Sequence, residues 1–508
     1  MPLFRTHSAD LPVPVRTSNA AWWVAVLLIA VWYLPFTQGA IHAGFRADDA
    51  LYLLMADWFA TDWREDPVLL YVQSVSHLSP LYSLVLAAVG GGSSQLDIAH
   101  LLQTAFFILA VFLHGRVLAR IHGQLSVGLL LMAVLALAPA SLLYNTEIWS
   151  EFLYLALIAG GILAALAARD RPAWWLLSAL LIGLAAVTRG FGIVAIIALL
   201  MVTAVRARKY LLPVTIICLA PLVLADLLGL GGGRDYLEIF NSRISGDTSL
   251  LHYMQLNIQA IAPGWYDVFS VERGAAAVAV SGVLGILALI GVCVRFWRFE
   301  LDAVYTAGYM ALLILWPFPV EVERFVYGLA PMIIIQASCG AAVLGAMINA
   351  RTGQILAVLP VAALFVWVVG TGGSMGWRYL MHTPPSDIQS WRASRYWLEP
   401  ASLADAEADI RMRQAMIDML SAITERIPVK SCIYTMHPQA VMFYSRRIAW
   451  PQGPQADDMP RPECKYQVLF GEDEVLARKQ LVWPGAVVLD VARAEKGIAA
   501  IFFHYPDP

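Results

Sequence analysis

The prediction of the fold depends on one short polar stretch that follows the first apolar segment of the chain. It reads His42-Ala43-Gly44-Phe45-Arg46-Ala47-Asp48-Asp49. Residues 20–36 before it are almost purely apolar, and residues 50–63 after it are apolar with helical spacing. Two adjacent carboxylates beside a membrane span are energetically costly unless another group uses or neutralises them. Asp48 and Asp49 are therefore the first candidates for a functional site.

The composition is that of a polytopic membrane protein. The chain has 508 residues, of which 59% are hydrophobic and only 14% are charged, whereas soluble domains carry about 25% charged residues. We therefore expect the lipid bilayer to be its main partner. The net charge of −3 gives no reason to expect nucleic acid as a partner.

A helix that crosses the bilayer core needs roughly 20 mostly apolar residues. About eleven such spans are predicted, near residues 20–38, 96–114, 125–143, 149–168, 173–188, 190–206, 210–230, 275–294, 302–317, 326–348 and 354–372. Residues 79–91 are apolar but short, which favours a re-entrant or interfacial helix.

The charges that flank these spans predict their orientation. Short basic connections alternate along the chain with longer connections rich in acidic and aromatic residues, at 39–78, 144–149, 231–273 and 317–325. The positive-inside rule places the basic connections and the N-terminus in the cytoplasm. An odd number of spans then places the chain after about residue 373 on the outer face.

We predict three regions from this pattern. Residues 1–19 form a cytoplasmic segment, residues 20–373 a transmembrane domain with a functional outer loop at 39–78, and residues 374–508 an interfacial segment with a small α/β domain. The α/β domain is predicted from an amphipathic helix at 401–426 and β-like runs at 430–434, 440–444, 466–470, 486–491 and 498–504. Cys432 and Cys464 would be able to pair in an oxidising compartment, and the sequence leaves that open.

Asp48 and Asp49 allow two interpretations. They precede an amphipathic helix, so they fit an N-cap with an acidic first turn. They also fit a general base, because a carboxylate at a partly dehydrated site can accept a proton from an acceptor hydroxyl. In that case Arg46 and the adjacent acid would shift the pKa of the base in opposite directions.

Other polar residues of the outer face also have structural and functional interpretations. Arg189 lies in a tight turn between two spans, and its anionic partner is either Glu151 or a lipid phosphate. Arg324 fits an internal salt bridge with Glu321 or Glu323, or a phosphate site, since arginine suits bidentate phosphate contact. His77 precedes a proline-initiated helix and fits a donor to a phosphate or sugar oxygen.

Four motifs in a consistent order resemble the GT-C superfamily of integral-membrane glycosyltransferases. They are the acidic pair after the first span, residues 77–82 (His-Leu-Ser-Pro-Leu-Tyr), residues 150–154 with 183–189 (Ser-Glu-Phe-Leu-Tyr and Gly-Leu-Ala-Ala-Val-Thr-Arg), and Glu323-Arg324-Phe325 with Ala330-Pro331. The chain is most similar to the bacterial branch that contains protein O-mannosyltransferases, the lipid A aminoarabinose transferase and rhizobial lipopolysaccharide-core transferases.

The resemblance implies an inverting transfer of sugar from a polyprenyl-phosphate-linked donor to a glycan, lipid or protein acceptor. It implies that Asp48 is the general base, with Asp49 in support, and that Arg189, Arg324 and His77 contact the lipid phosphate. It also implies that Glu151 orients Arg189 or binds sugar hydroxyls. The location would be the periplasmic face of a bacterial inner membrane, without a cofactor or a metal.

Two rival functions remain from the residues themselves. A lipid-linked saccharide flippase or a polysaccharide polymerase would need charges that line a path inside the spans, whereas here they concentrate at the outer ends. A non-enzymatic membrane scaffold would leave the outer acids and Arg189 unexplained. The sequence contains no Walker loop, dinucleotide fingerprint, zinc spacing or Gly-x-Ser-x-Gly elbow.

Overall fold

The structure is a computed structural model of the chain. It describes residues 19–37, 43–45, 48–61, 66, 68–69, 71–72, 78–230, 250–270, 274–316, 318–381, 403–451, 464–471, 486–494 and 497–505. Its α-helices are α1 Asn19–Tyr33, α2 Asp49–Ala60, α3 Leu81–Ala88, α4 Leu96–His122, α5 Leu125–Leu137, α6 Pro139–Asn145, α7 Glu151–Ala167, α8 Trp174–Ala186, α9 Gly192–Arg206, α10 Leu211–Leu227, α11 Leu250–Phe269, α12 Ala275–Trp297, α13 Leu301–Ile314, α14 Pro319–Ala346, α15 Ala350–Val368, α16 Ser374–Met381, α17 Leu403–Arg426 and α18 Pro438–Ser445.

Each of the predicted apolar segments coincides with a helix. Within the described ranges, six helical segments are long and apolar enough to cross a membrane, or seven if the bent pair α5 and α6 is one span. Four others, α7, α8, α9 and α13, are apolar but have only 13 to 17 residues. Seventeen residues extend about 25 Å, less than the ~30 Å hydrocarbon core. The helical membrane architecture is confirmed, whereas the count of eleven spans stays a prediction.

A helix also occupies part of a segment that the sequence predicts as an outer loop. The α11 helix lies within 231–273, contains Pro263 and carries polar residues that interrupt its apolar pattern. Its Asn257 side chain donates hydrogen bonds of 3.0 and 2.7 Å to the carbonyl oxygens of Ile314 and Trp316. The α11 helix is thereby fixed against the segment that precedes α14.

The predicted C-terminal α/β domain is confirmed as a five-stranded sheet with helices α17 and α18. Its strands are β1 Cys432–Thr435, β2 Ile448–Pro451, β3 Tyr466–Phe470, β4 Val487–Ala494 and β5 Gly497–His504, in the order β2-β1-β3-β5-β4. β1 pairs in parallel with β2 and β3, while β5 pairs antiparallel with β3 and β4. The strand predicted at 440–444 is wrong, because these residues belong to α18, where Pro438 occupies the first turn.

The buried apolar side chains form two large cores. One core fills the membrane helices, and the other joins α2 and its flanking residues to the C-terminal domain. In the second core Phe45 and Leu51 belong to the same cluster as Leu420, Ile433 and Phe502. A disulfide between Cys432 and Cys464 links β1 to the chain just before β3. The C-terminal domain therefore packs directly on the segment that carries the acidic pair.

Candidate functional site

Four charged side chains from separate parts of the sequence meet at one end of the helical bundle. Asp48 precedes α2, Glu151 begins α7, Arg189 lies in the turn between α8 and α9, and Arg324 lies in the first turns of α14. Three contacts of 4.0 Å or less link them in a chain, from Asp48 to Arg324, from Arg324 to Glu151 and from Glu151 to Arg189. The structure therefore brings together four of the residues that the sequence singled out.

Arg189 and Glu151 form a largely buried ion pair. The Nη1 atom of Arg189 lies 2.5 Å from Oε1 of Glu151 and donates a 3.2 Å hydrogen bond to Oγ of Ser150. The turn that presents Arg189 requires glycine at 192, because a Cβ atom there would lie 2.4 Å from the Cα atom of Ala186. The predicted pairing of Arg189 with Glu151 is confirmed as a contact.

Arg324 lies between three carboxylates. Its Nη2 atom is 2.9 Å from Oε2 of Glu321 and 3.8 Å from Oδ2 of Asp48, and its Nε atom is 4.0 Å from Oε1 of Glu151. The guanidinium also lies over the rings of Trp149 and Phe325, at 5.2 and 4.9 Å from their centres. The internal salt bridge that the sequence allowed is therefore present, through Glu321.

One N–H group of Arg324 is not satisfied by these contacts. Its Nε atom is buried and makes no hydrogen bond among the described residues. A buried donor without an acceptor costs about 1–3 kcal/mol. An anion bound beside the guanidinium would remove that cost, so this position suits a phosphate group.

The two adjacent aspartates have different surroundings. The Asp48 side chain is 22% exposed, faces Arg324 and makes no capping hydrogen bond at the start of α2. Asp49 is 3% exposed, and its Oδ1 atom accepts hydrogen bonds from the backbone N–H groups of Gly44 (2.8 Å) and Ala50 (2.9 Å). Asp48 is therefore the accessible carboxylate, while Asp49 fixes the backbone around it.

Burial is the main influence on the acidity of Asp49. It raises the pKa of Asp49 well above the ordinary value of 3.8, and the nearby Glu147 carboxylate raises it further. The N–H groups of Gly44 and Ala50 lower the pKa of Asp49 in part, because they stabilise the charged form.

The C-terminal domain closes over the stretch that carries the aspartates. Gly44 has φ +83°, and a Cβ atom there would lie 2.5 Å from the backbone nitrogen of Ala440 in α18. The buried ring of Phe45 packs against His437 and Phe470, and the guanidinium of Arg413 lies 4.7 Å above it. The backbone position of Asp49 and Asp48 thus depends on the packing of this domain.

The other predicted site residues are Arg46, His77 and Glu323. Arg46 and His77 lie outside the described residues. Just after His77, the N–H of Leu81 donates a 3.0 Å hydrogen bond to the carbonyl of Val187 and joins α3 to the Arg189 turn. Glu323 is exposed on α14 beside Arg324. No group of three or more potential metal ligands is found in the part of the chain that the structure describes, and independence from metal stays a prediction.

Sequence reasoning missed several neighbours of the charged group. The hydroxyl groups of Tyr52 and Ser150 form a hydrogen bond of 2.7 Å, and the Ser150 hydroxyl also accepts a hydrogen bond from Arg189. Burial raises the pKa of Tyr52, so its hydroxyl stays protonated. Trp149 provides the ring beneath Arg324. Ser150 lies in the quoted Ser-Glu-Phe-Leu-Tyr motif, but the sequence gives no signal for Tyr52.

The fold is similar to that of a solved membrane transferase. The structure of ArnT, the lipid A aminoarabinose transferase of Cupriavidus metallidurans, bound to undecaprenyl phosphate matches with a TM-score of 0.50 over 96% of this chain and 98% of that chain. The chain has a GT-C fold. With 13% sequence identity, the match establishes the fold alone.

Two further solved structures match the chain with slightly lower TM-scores. The apo state of the same ArnT matches at 12% identity and a TM-score of 0.49, with the same coverage of both chains. An Archaeoglobus fulgidus oligosaccharyltransferase tethered with an acceptor peptide matches at 14% identity and a TM-score of 0.47, over 89% of this chain and 69% of that chain. No protein-family model and no curated protein sequence matches the chain.

Proposed function

We propose that this protein with a GT-C fold is an inverting glycosyltransferase that moves a sugar from a polyprenyl-phosphate-linked donor to an acceptor outside the cytoplasm. The observation that carries the proposal is Arg324, which lies beside Asp48, has a buried, unsatisfied Nε–H and is linked through Glu151 to a second arginine, Arg189. That arrangement offers a phosphate site and an accessible base within a few ångströms of each other. The undecaprenyl phosphate in the ArnT structure supports a lipid phosphate as the ligand.

The reaction is a single displacement. The acceptor hydroxyl oxygen attacks the anomeric carbon, its proton passes to the carboxylate of Asp48, and the bond from that carbon to the phosphate oxygen breaks. The polyprenyl phosphate leaves with the bonding electrons, and Arg324 and Arg189 stabilise its developing negative charge. Attack from the side opposite the leaving group inverts the anomeric configuration. Glu151 holds Arg189 in place for this role.

Charge and redox chemistry support a site on the outer side of the membrane. The basic connections lie at the helix ends opposite to Asp48, which favours an outward-facing site and a cytoplasmic N-terminus. The disulfide between Cys432 and Cys464 belongs to the domain that packs over the site, and disulfides persist in oxidising compartments such as the periplasm. We therefore assign the site to the periplasmic face of a bacterial inner membrane.

The test is an assay with purified protein in detergent and a lipid extract from a strain that lacks the gene. A transferase converts the lipid-linked sugar to free polyprenyl phosphate and glycosylated acceptor without any membrane to cross. A flippase leaves the lipid-linked sugar intact under these conditions. Unchanged donor lipid, with the wild-type protein folded and a host glycoconjugate extract supplied as acceptor, would contradict the proposal.

A further inference from the structure

A second cluster of charged residues lies at the end of the bundle opposite to the candidate site. It surrounds a cavity of about 280 Å³ among the ends of α7, α8, α9 and α13 and the turn before α10. The α7 helix joins the two ends, since Glu151 begins it and Ala165 and Leu166 near its other end line the cavity. Its length of about 25 Å separates this cavity from the candidate site.

The cavity carries an excess of positive charge. Arg169, Arg206 and Lys209 line it together with two carboxylates, those of Glu300 and Asp302. The charge of Asp302 is balanced by Arg295, which does not line the cavity. Arg295 donates hydrogen bonds of 2.8 and 2.7 Å to the two carboxylate oxygens of Asp302. Glu300 alone therefore faces the three cations.

Glu300 holds two of these cations side by side. Its Oε1 atom lies 2.9 Å from Nη2 of Arg206, and its Oε2 atom pairs with Nη2 of Arg169. A guanidinium has five N–H donors, so both arginines keep donors that Glu300 does not use. Lys209 has no carboxylate partner within the described residues and lies beside the ring of Tyr210. The three side chains present an arrangement suited to a phosphate group.

The residues around the cavity suit a phospholipid better than a free ion. Trp175 and Tyr210 line it, and such rings are enriched at membrane interfaces. Apolar side chains next to the cationic residues are open to the surroundings, with Val205 58% and Leu212 71% exposed. A phosphate held by the cations would thus have an apolar surface beside it for acyl chains.

We propose that this cavity binds the phosphate headgroup of an anionic phospholipid from the leaflet opposite to the candidate site. The positive-inside pattern makes this the cytoplasmic leaflet, where anionic lipids attract basic side chains. The proposal does not depend on the glycosyltransferase activity. It concerns a structural lipid that ties together four short helices, three of which lead to Glu151 or Arg189.

Native mass spectrometry of the purified full-length protein tests the proposal. The protein is incubated with equal amounts of phosphatidylglycerol and phosphatidylcholine, and the retained lipid is counted. We expect the wild type to prefer phosphatidylglycerol and Lys209→Gln to weaken its retention about fivefold, which corresponds to about 1 kcal/mol per cationic side chain. Arg169→Gln should act in the same direction.

Arg208→Gln is the matched control, because Arg208 is exposed one residue from Lys209 and does not line the cavity. It should leave the preference unchanged. Equal effects of the two substitutions would overturn the proposal, since they would indicate a diffuse attraction. Displacement of the lipid by inorganic phosphate alone would also overturn it, because the site would then hold a free ion. Loss of the preference in Arg324→Gln but not in Lys209→Gln would assign the lipid to the candidate site instead.

Discussion

The Nη2 atom of Arg324 lies 3.8 Å from the Oδ2 atom of Asp48, although the two residues belong to opposite halves of the transmembrane region. The proposed base and the proposed phosphate-binding cation are thus adjacent. Glu151 lies 4.0 Å from the same guanidinium and also binds Arg189. The candidate site is one connected electrostatic unit rather than a set of independent ion pairs.

Asp48→Asn should reduce sugar transfer by a factor of about 10² to 10⁴, the usual contribution of a positioned general base. The amide keeps the size of the side chain but cannot accept the hydroxyl proton. Asp49→Asn should stay within about tenfold of wild type, because its Oδ1 atom can still accept the bonds from Gly44 and Ala50. Initial rates in the detergent assay measure both variants. If Asp49→Asn loses more activity than Asp48→Asn, the assignment of the base is reversed.

Arg324→Gln should weaken the binding of undecaprenyl phosphate by tenfold or more, about 1.4 kcal/mol. The substitution removes the charge and the unsatisfied Nε donor together. Arg324→Lys should recover only part of the affinity, since an ammonium lacks the planar pair of donors. Binding of undecaprenyl phosphate and of undecaprenol is compared by tryptophan fluorescence. An equal loss for both lipids would show that the substitution alters packing and not phosphate recognition.

The buried Asp49 carboxyl predicts a pH dependence of stability. Because its pKa in the folded protein is raised above 3.8, its contribution to stability is complete below pH 3.8 and is lost as the pH rises through the folded-state value. Asp49→Asn has no such loss, so its Tm should increase relative to wild type as the pH rises. Thermal unfolding in detergent across this range provides the measurement. Parallel Tm curves for the two proteins would contradict a raised pKa.

The sequence was sufficient to predict the long apolar helices and much less so for the elements outside those apolar runs. Apolar runs of bilayer length are unambiguous, because few soluble helices have them. The α11 helix was missed, since polar residues such as Asn257 and the internal Pro263 break its pattern. Residues 440–444 are short and apolar, and such runs do not distinguish strand from helix. There Pro438 was the one usable signal for a helix.

The candidate site was predictable by residue type but not by role. Acids and arginines at predicted span ends indicated Asp48, Glu151, Arg189 and Arg324, because charges at a membrane edge need partners. Which carboxylate is buried could not be read from two adjacent aspartates. That difference arises from Gly44, whose N–H binds Asp49, and from the C-terminal domain that fixes Gly44. Such long-range packing has no local sequence pattern.

Gly44→Ala should lower both activity and stability, because the new Cβ atom meets the backbone of Ala440 and displaces the segment before Asp48. A left-handed conformation by itself costs a non-glycine residue about 1–2 kcal/mol. Gly90→Ala is the matched control, since Gly90 has φ +77° and open space around its Cα atom. The two variants should share the strain but differ in activity. Equal transfer rates would indicate that the C-terminal domain does not position the acidic pair.

Removal of the disulfide should destabilise the C-terminal domain by about 3–4 kcal/mol, the loop-closure entropy expected for cysteines 32 residues apart. In the Cys432→Ser, Cys464→Ser double variant, we expect protease cleavage within residues 403–505 of the full-length protein to accelerate on the order of a hundredfold. Cys293→Ser is the control, because Cys293 is an exposed free thiol on α12. Since α2 and this domain share a core, activity should fall together with protection from protease. Rapid cleavage with full activity would show that the charged group keeps its arrangement without the folded domain above it.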